Sequence, residues 1–449
     1  MATGEINFNP RFFAADTLAA VEKDGVFADE TASKTLSAFS NADPRDRALY
    51  YELVLGTLRM RGPIDAVIER CSSRSLEKMD PFALQAMRVA ICQMINLDRI
   101  PAYAAVNAAV DYAKLKNPRS GVSSFVNAVL RKCSRAVSDR DSFFRSLARN
   151  ERLSHPEWMI RTLDSLLGQD STQSFCSIAN TPPPLTARNI LARQSRDKLI
   201  SILAAEGVSA APCRFSPCGL SIESKINPSN LGSFSKGLFS IQDEAAQLVS
   251  LLLDPRPGEG VLDLCAAPGG KTFHIADLMN GSGRICAVDS SRARLELLEE
   301  SSRRLGLKNV MTSVQDVTSP LPFEAAAFDR ILLDAPCTAL GTTRRAPEVR
   351  WRTEKDAPSR ISRLQSKMLD NASGYLKPGG LLVYSVCTFT PEEGPGVVSR
   401  FLEAHTEFTL ELPPFGWLDG SMTDGLFVRT WPHLHGTDAF FMARLRKRG

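Results

Sequence analysis

The sequence predicts a multidomain chain: an all-α N-terminal domain, a small α+β connecting domain and a C-terminal α/β domain on a doubly wound, Rossmann-like parallel sheet. Three observations predict it. Residues 1 to about 140 repeat apolar side chains at three- and four-residue steps, without strand-like alternation. Residues from about 150 to 235 mix an amphipathic helix with short strands. From about 240 the rhythm becomes strand, turn, helix, repeated. The boundaries read as 1–145, 146–235 and 236–449, in line with three domains for 449 residues.

Taken in order, "LYYELVLGTLRM", "FALQAMRVAICQMINL", "AAVNAAVDYAKLK" and "SSFVNAVLRKCSRAV" are helices. Pro44, Gly62-Pro63, Pro81, Pro101 and Pro118 mark their boundaries. Helices of this length bury a shared core. In the middle region "TPPPLTARNIL" turns into a strand, "RDKLISILAAEG" is a helix closed by Gly207, and "GLSIES" is a strand. In the last region "GVLDLCAAPGG" is a buried strand entering a turn, followed by the helix "KTFHIADLM". "RICAVDSS", "NVMTSVQD", "FDRILLDAPC" and "GGLLVYSVCT" are further strands, and "RARLELLEESSRRLG" is a helix.

Composition excludes several classes. Apolar residues make up 43% and charged residues 23%, ordinary for a globular protein. Ten cysteines without clustering do not form a disulfide scaffold, so a reducing, cytoplasmic setting fits. Cys213 and Cys218 are a close pair, but no second pair or histidine stands near enough to complete a zinc site, and no metal is expected. The N-terminus "MATGEINFNPRFF" lacks a basic then an apolar region, so no leader is expected. No run of about 18 apolar residues predicts a membrane span. Net charge is only +4. Yet residues 110–149 hold nine basic side chains (Lys114, Lys116, Arg119, Arg131, Lys132, Arg135, Arg140, Arg145, Arg149) against three aspartates, and residues 341–363 hold seven basic against three acidic. Such stretches suit a polyanion along one face, or are simply solvated helix surface.

Parallel sheets place ligands at the C-terminal strand ends. There the first strand gives "DLCAAPGGKT", residues 263–272. It ends like a phosphate-binding loop, but Cys265 stands where the first loop glycine is needed, and the G-x-G-x-x-G of dinucleotide enzymes is missing. Small residues let the backbone approach a ligand, and the helix N-terminus favours a carboxylate. Asp289 ends the second strand 19 residues after Gly270, the place of a ribose-binding acid. Asp316 ends the third and faces an adenine amino group. The site is shaped for an adenosyl group without a pyrophosphate, as in S-adenosylmethionine. A plain tight strand–helix connection is the alternative for the turn alone.

The fourth strand ends in "DAPC" with Asp334 and Cys337, the fifth in "YSVCT" with Cys387 and Thr388. A lone cysteine is usually a small apolar filler. Two at the ends of neighbouring strands supply what an unreactive pyrimidine carbon needs. A thiolate added to carbon 6 of cytosine makes carbon 5 an enamine nucleophile toward a sulfonium methyl. Loss of the carbon 5 proton then permits thiol elimination. The residues alone leave open which cysteine attacks.

These segments closely resemble the RsmB (Sun/Fmu) family of RNA cytosine-carbon-5 methyltransferases over nearly the whole chain. "FSIQDEAAQLV", "DLCAAPGGKT", "AVD", "DRILLDAPC", "RRAPEVRW", "LKPGGLLVYSVCTFTPEE" and "GTDAFFMARLRK" follow in the family's order. "RDRALYYELVLGTLR", "DRIPAYAAVNAAVDYAK" and "FVNAVLRK" resemble a NusB-like RNA-binding domain. The resemblance implies S-adenosylmethionine as cofactor and 16S rRNA, before full small-subunit assembly, as partner, for a cytoplasmic monomer. It implies Cys387 as nucleophile, Cys337 as the cysteine that assists release, and Asp334 beside the cytosine. It implies cofactor contacts from Cys265, Ala266, Ala267, Pro268, Gly269, Gly270, Lys271, Asp289, Asp316 and Asp334. Thr338, Gly394 and Ala439 depart from the family's usual Ser, Asn and Gly, and Gly394 bears on how the loop after Cys387 is held. Arg344, Arg345, Arg350, Arg352 and Trp351 are candidates for gripping RNA by charge and stacking, or are ordinary surface. Transfer RNA as substrate, and a non-catalytic assembly factor on a degenerate fold, are the competing readings; intact Cys337, Cys387 and the three cofactor aspartates stand against the second.

Overall fold

Prolines set the helix starts of the N-terminal part, because the first turn has no use for their missing N–H. In the computed structural model Pro44 opens the helix Pro44–Arg59 and Pro81 opens Pro81–Asn96, each behind an aspartate whose side chain caps the first turn. The structure describes residues 8–118, 121–224 and 226–449. Arg119 of the basic stretch and the first seven residues of the N-terminus lie outside the described residues. The expected helices are present, as Pro44–Arg59, Pro81–Asn96, Ala102–Lys116 and Val122–Ala136. Gly62-Pro63 does not break the chain: both sit in the first turn of the helix Arg61–Cys71, and the break falls at Met60. Gly62 is required there, since a Cβ would stand 2.6 Å from the Glu151 carbonyl. Helices Pro10–Asp24 and Ala28–Ala38 precede this set. One apolar core runs through them, with Leu53, Val54, Ile64, Met87, Ile91 and Leu130 buried.

Contacts divide the chain into two units, Met1–Pro182 with Thr343–Glu354, and Pro183–Thr342 with Lys355–Gly449. Helices Glu157–Leu167 and Gln169–Ala179 belong to the first unit. So does the segment holding four of the five basic or aromatic residues read as RNA grips, and this corrects that reading for two of them. Arg350 is fully buried. Its guanidinium donates to the carbonyls of Thr343 (2.9 Å), Ala179 (3.0 Å) and Ser154 (3.2 Å) and to Asn180 Oδ1 (2.5 Å). Trp351 is half-buried and donates Nε1–H to the Leu58 carbonyl at 2.9 Å. A planar fork with five donors is what several converging carbonyls select. Arg350→Ala is therefore expected to lower the melting temperature, at a cost of ~3–5 kcal/mol for an emptied hydrogen-bonded site. The salt dependence of RNA binding should keep its slope, which a salt titration checks. Arg131, Lys132, Arg135 and Arg145 are exposed, as a phosphate-facing stretch requires. Lys116 and Arg140 instead pair with Asp16 and Asp98, both at 2.6 Å.

In the second unit the strands are β1 (Leu185–Asn189), β2 (Ala210–Pro212), β3 (Gly219–Ile222) and β4 (Phe239–Ile241), an antiparallel sheet in the order β2-β3-β1-β4. The helix Arg196–Ala205 ends before Gly207 at φ 78°, as read from the sequence. The large sheet holds β5 (Gly260–Leu264), β6 (Arg284–Asp289), β7 (Val310–Val314), β8 (Phe328–Asp334), β9 (Leu376–Val386), β10 (Phe408–Leu410), β11 (Thr423–Asp424), β12 (Phe427–Thr430) and β13 (Phe440–Lys447). Its order is β11-β12-β13-β9-β8-β5-β6-β7, with β10 on β13. The expected parallel pairing holds for β7, β6, β5, β8 and β9. The closing strands are antiparallel, since the short Pro432/Gly436 connection between β12 and β13 has no length for a crossover. Leu262 and Leu264 enter one core while Val261 enters the other, so both sheet faces are covered and the strands read as apolar runs. Strand order reverses between β5 and β8, and the crevice at that switch point is where such sheets bind ligands. Among the described residues no helix is long and apolar enough to cross a membrane.

Candidate active site

The turn after β5 is built to bring backbone close. Cys265 takes φ 62°, and Gly269 takes φ 105° before the helix Gly270–Leu278. A Cβ on Gly269 would run into the Phe273 ring and stand 2.8 Å from Leu298, so only glycine fits. Asp289, at the end of β6, is buried and accepts from Ala267 N (3.2 Å) and Ser291 N (3.0 Å). It thus ties the turn to the neighbouring strand. A carboxylate has about four lone-pair positions, so two remain for ribose hydroxyls. Asp316 lies two residues beyond β7 and is exposed. Its Oδ1 accepts from Thr318 N (2.9 Å) and Oγ1 (2.8 Å), which hold its pKa below the usual range and keep it anionic. Burial pushes the Cys265 thiol up to about 12, so it lines the turn as a neutral group. This donor set, carboxylates at successive strand ends around a turn of small residues, fits an adenosyl sulfonium.

Asp334 closes β8, and Ser385 lies beside it in the β8–β9 register. Ser385 Oγ donates to Asp334 Oδ1 and Lys271 Nζ to Oδ2, both at 2.6 Å. Burial pulls the Lys271 pKa down, but the Asp334 charge and hydrogen bond outweigh it and leave the ammonium raised and charged. The same cation interacts electrostatically with Cys387. Behind this pair Asp263 is fully buried, donor-bound by Thr272 Oγ1 at 2.6 Å, and pushed up to about 7 by burial.

The two cysteines meet. Cys337 Sγ and Cys387 Sγ are 3.3 Å apart, both half-buried free thiols at the ends of adjacent parallel strands. The hydrogen bond to Cys387, and then burial, push the Cys337 thiol well above its ordinary value. Cys337 therefore keeps its proton and donates it toward the Cys387 sulfur, an asymmetry that separates the two roles.

What holds the sulfurs together was missed in the sequence. Glu393, the second glutamate of "PEE", is fully buried. Its Oε1 accepts from Thr338 N (2.8 Å) and Gln365 Nε2 (3.2 Å), its Oε2 from Thr338 Oγ1 (2.6 Å) and Thr390 Oγ1 (2.7 Å). One carboxylate thus clamps the loop after Cys337 to the loop after Cys387, and burial raises its pKa. A second tie is backbone: Gly341 N donates to the Cys387 carbonyl and Ala439 N to the Gly341 carbonyl, each at 3.0 Å. A Cβ on Gly341 would collide with the Ala439 carbonyl and stand 2.9 Å from the Cys387 carbonyl. Gly341→Ala is accordingly expected to cost ~1–3 kcal/mol and to slow methyl transfer by at least about tenfold, read from a melting curve and initial rates.

The family departures fit this frame. Thr338 supplies the hydroxyl that the usual Ser would. Gly394 leaves room for Phe441, whose Cγ would be 3.0 Å from a Cβ there. The loop is held by Glu393 and by Gly394 N on the Thr390 carbonyl at 3.1 Å, with no side chain needed at 394. Cys265, Lys271, Asp289, Asp334, Cys337 and Cys387 come together around the switch point, whereas Asp316 sits apart with Thr318 and Lys367.

The same segments match known proteins. The family model described as 16S rRNA methyltransferase RsmB/F matches residues 250–446, the NusB family model 9–135, and the RsmF/B-like ferredoxin-like domain 155–228. A probable ribosomal RNA small subunit methyltransferase B of Synechocystis is 35% identical, over 90% of this chain and 92% of that protein. Its counterpart in Bacillus subtilis is 33% identical over 98% and 99%. The crystal structure of PH0851 superposes with a TM-score of 0.84 at 28% identity, over 99% of this chain and 100% of that one. NSun6 from Pyrococcus horikoshii, solved with the S-adenosylmethionine analogue SFG, gives 0.60 at 27% identity over 66% and 98%. From its helical front to its closing strand, the chain belongs to the RsmB/F family of S-adenosylmethionine-dependent rRNA methyltransferases.

Proposed function

We propose that the protein methylates carbon 5 of one cytosine in 16S rRNA through a transient bond between Cys387 and that base. The observation that carries this reading is the pair of sulfurs 3.3 Å apart, one of them held as a proton donor. The bound cofactor, S-adenosylmethionine, supplies an electrophilic methyl group. Cys387, beside the Lys271 ammonium, adds as thiolate to carbon 6, since a neighbouring cation stabilises a sulfur anion. The electron pair moves to carbon 5, which takes the methyl. After the carbon 5 proton leaves, the Cys387–carbon 6 bond breaks and Cys337, still protonated, supplies the proton that the departing sulfur needs. Asp334, fixed by Lys271 and Ser385, stands beside the cytosine and orients it. The turn Cys265–Lys271 and Asp289 hold the cofactor, with Asp316 at the adenine end. Reaching carbon 6 requires the base to leave its stack.

The functional division we infer is 1–145 for RNA binding, 146–235 as connector and 236–449 for catalysis, in a cytoplasmic monomer acting before the small subunit is fully assembled. Bisulfite sequencing of total RNA from cells with and without the gene tests the reading. One protected cytosine should vanish from small-subunit rRNA. Its loss from transfer RNA instead, or no loss, contradicts it.

A further inference from the structure

We propose that the helical unit carries a second RNA-recognition site, a pocket that captures one unpaired guanine of the substrate. The proposal rests on the chain acting on RNA. Within that unit lies a cavity of about 200 Å³ whose lining includes Arg61, Arg88, Glu348, Trp351 and Arg352. Small-molecule pockets run to ~300–1,000 Å³, so this one suits a single planar base. Glu348 is 3% exposed; its Oε1 accepts from Ala28 N at 3.0 Å, and its Oε2 has no hydrogen-bond partner among the described residues. A buried carboxylate oxygen left without a donor is costly, so the cavity is incomplete without a ligand that donates. Burial also pushes the Glu348 pKa up, the mark of an anion short of partners.

The walls are flat and rigid. Trp351 is fixed through its Nε1, and the Arg61 guanidinium lies 5.5 Å from its ring centroid. Arg88 is held at 2.7 Å by both Asp65 and Glu22. Tryptophan rings and guanidinium planes are the surfaces on which unpaired bases stack. Arg352, exposed at the rim and donating to the Gly25 carbonyl at 2.9 Å, offers a cation to the nucleotide's phosphate. Three arginines around one open acid exclude a simple cation and favour an anion with a donor edge. Guanine alone presents adjacent N1–H and amino donors. Adenine and cytosine set a ring-nitrogen acceptor beside the amino group, and uracil flanks its N–H with two carbonyls; acceptors facing a carboxylate repel.

The test is calorimetry of the full chain, its cofactor site saturated with S-adenosylhomocysteine, against 5′-GMP, AMP, CMP and UMP. GMP should bind one site about tenfold more tightly than UMP, and Glu348→Gln should erase that preference. Arg352→Ala, a change at the exposed rim, should weaken all four about threefold. S-adenosylhomocysteine affinity reports folding of the variants. Absence of GMP binding, a guanine preference that survives Glu348→Gln, a GMP affinity unchanged in Arg352→Ala, or tighter binding of arginine methyl ester than of GMP would each overturn the proposal. Loss of carbon 5 methylation with GMP binding intact refutes the catalytic reading alone; the reverse pattern refutes the pocket alone.

Discussion

Cys387→Ala is expected to abolish methyl transfer, with turnover on small-subunit rRNA reduced on the order of 10⁴-fold or more, the scale of losing a covalent nucleophile. Cys337→Ala should fail differently. Its partner sulfur still adds to carbon 6 and carbon 5 still takes the methyl, but release lacks the proton that Cys337 holds. Protein and RNA should then migrate together on a denaturing gel. The contrast follows from geometry: the sulfurs are 3.3 Å apart, yet only Cys337 is driven up by a hydrogen bond to its neighbour. Binding of S-adenosylmethionine, measured separately, should be near normal in both variants, because neither sulfur belongs to the turn at Cys265–Lys271. Cys387→Ser methylating at the ordinary rate would remove the basis of the reading.

Glu393→Ala should give the second largest effect. It strips the acceptor from Thr338 N, Thr338 Oγ1, Thr390 Oγ1 and Gln365 Nε2 in a closed interior. Each buried donor left unpaired costs ~1–3 kcal/mol, and because they share one acceptor the combined loss is expected at ~3–5 kcal/mol. Displacement of the sulfurs by an ångström is worth ~10²-fold in rate. Glu393 acts through the cysteines, as a positioning residue. The discriminating variant is Glu393→Gln. Its carbonyl can accept from Thr338 N while its amide donates to the two hydroxyls, which can turn to accept. It should recover most of the rate and the melting temperature. A Gln variant as slow as the Ala variant would mean that charge, rather than the clamp, is what Glu393 supplies.

Much of the site was legible because strand ends in a parallel sheet concentrate chemistry. Asp289, Asp334, Cys337 and Cys387 could each be placed by counting to the end of an apolar run, and the run lengths are set by burial on both faces. Pairing across β8 and β9 then brings the cysteines together without further information. Glu393 and Gly341 were illegible for the opposite reason. Glu393 looks like an exposed acid after a proline, and nothing local shows that Thr338, some 55 positions earlier, encloses it. Gly341 looks like a loop glycine until the Ala439 and Cys387 carbonyls close on it. The antiparallel turn at the edge of the sheet was hidden too, since β13 is as apolar as a parallel strand. The segment "RRAPEVRW" misled by composition: Arg350 has the charge of an RNA contact, but carbonyls of the helical unit surround it, a fact of tertiary packing that no charge count reports.

The most direct measurement is peptide–nucleotide mass spectrometry on the Cys337→Ala protein after incubation with small-subunit rRNA and S-adenosylmethionine. The account predicts a single cross-linked peptide, containing Cys387, that carries a cytidine one methyl heavier than normal. A cross-link through any other residue, or methylated RNA released freely with no cross-link, would contradict it.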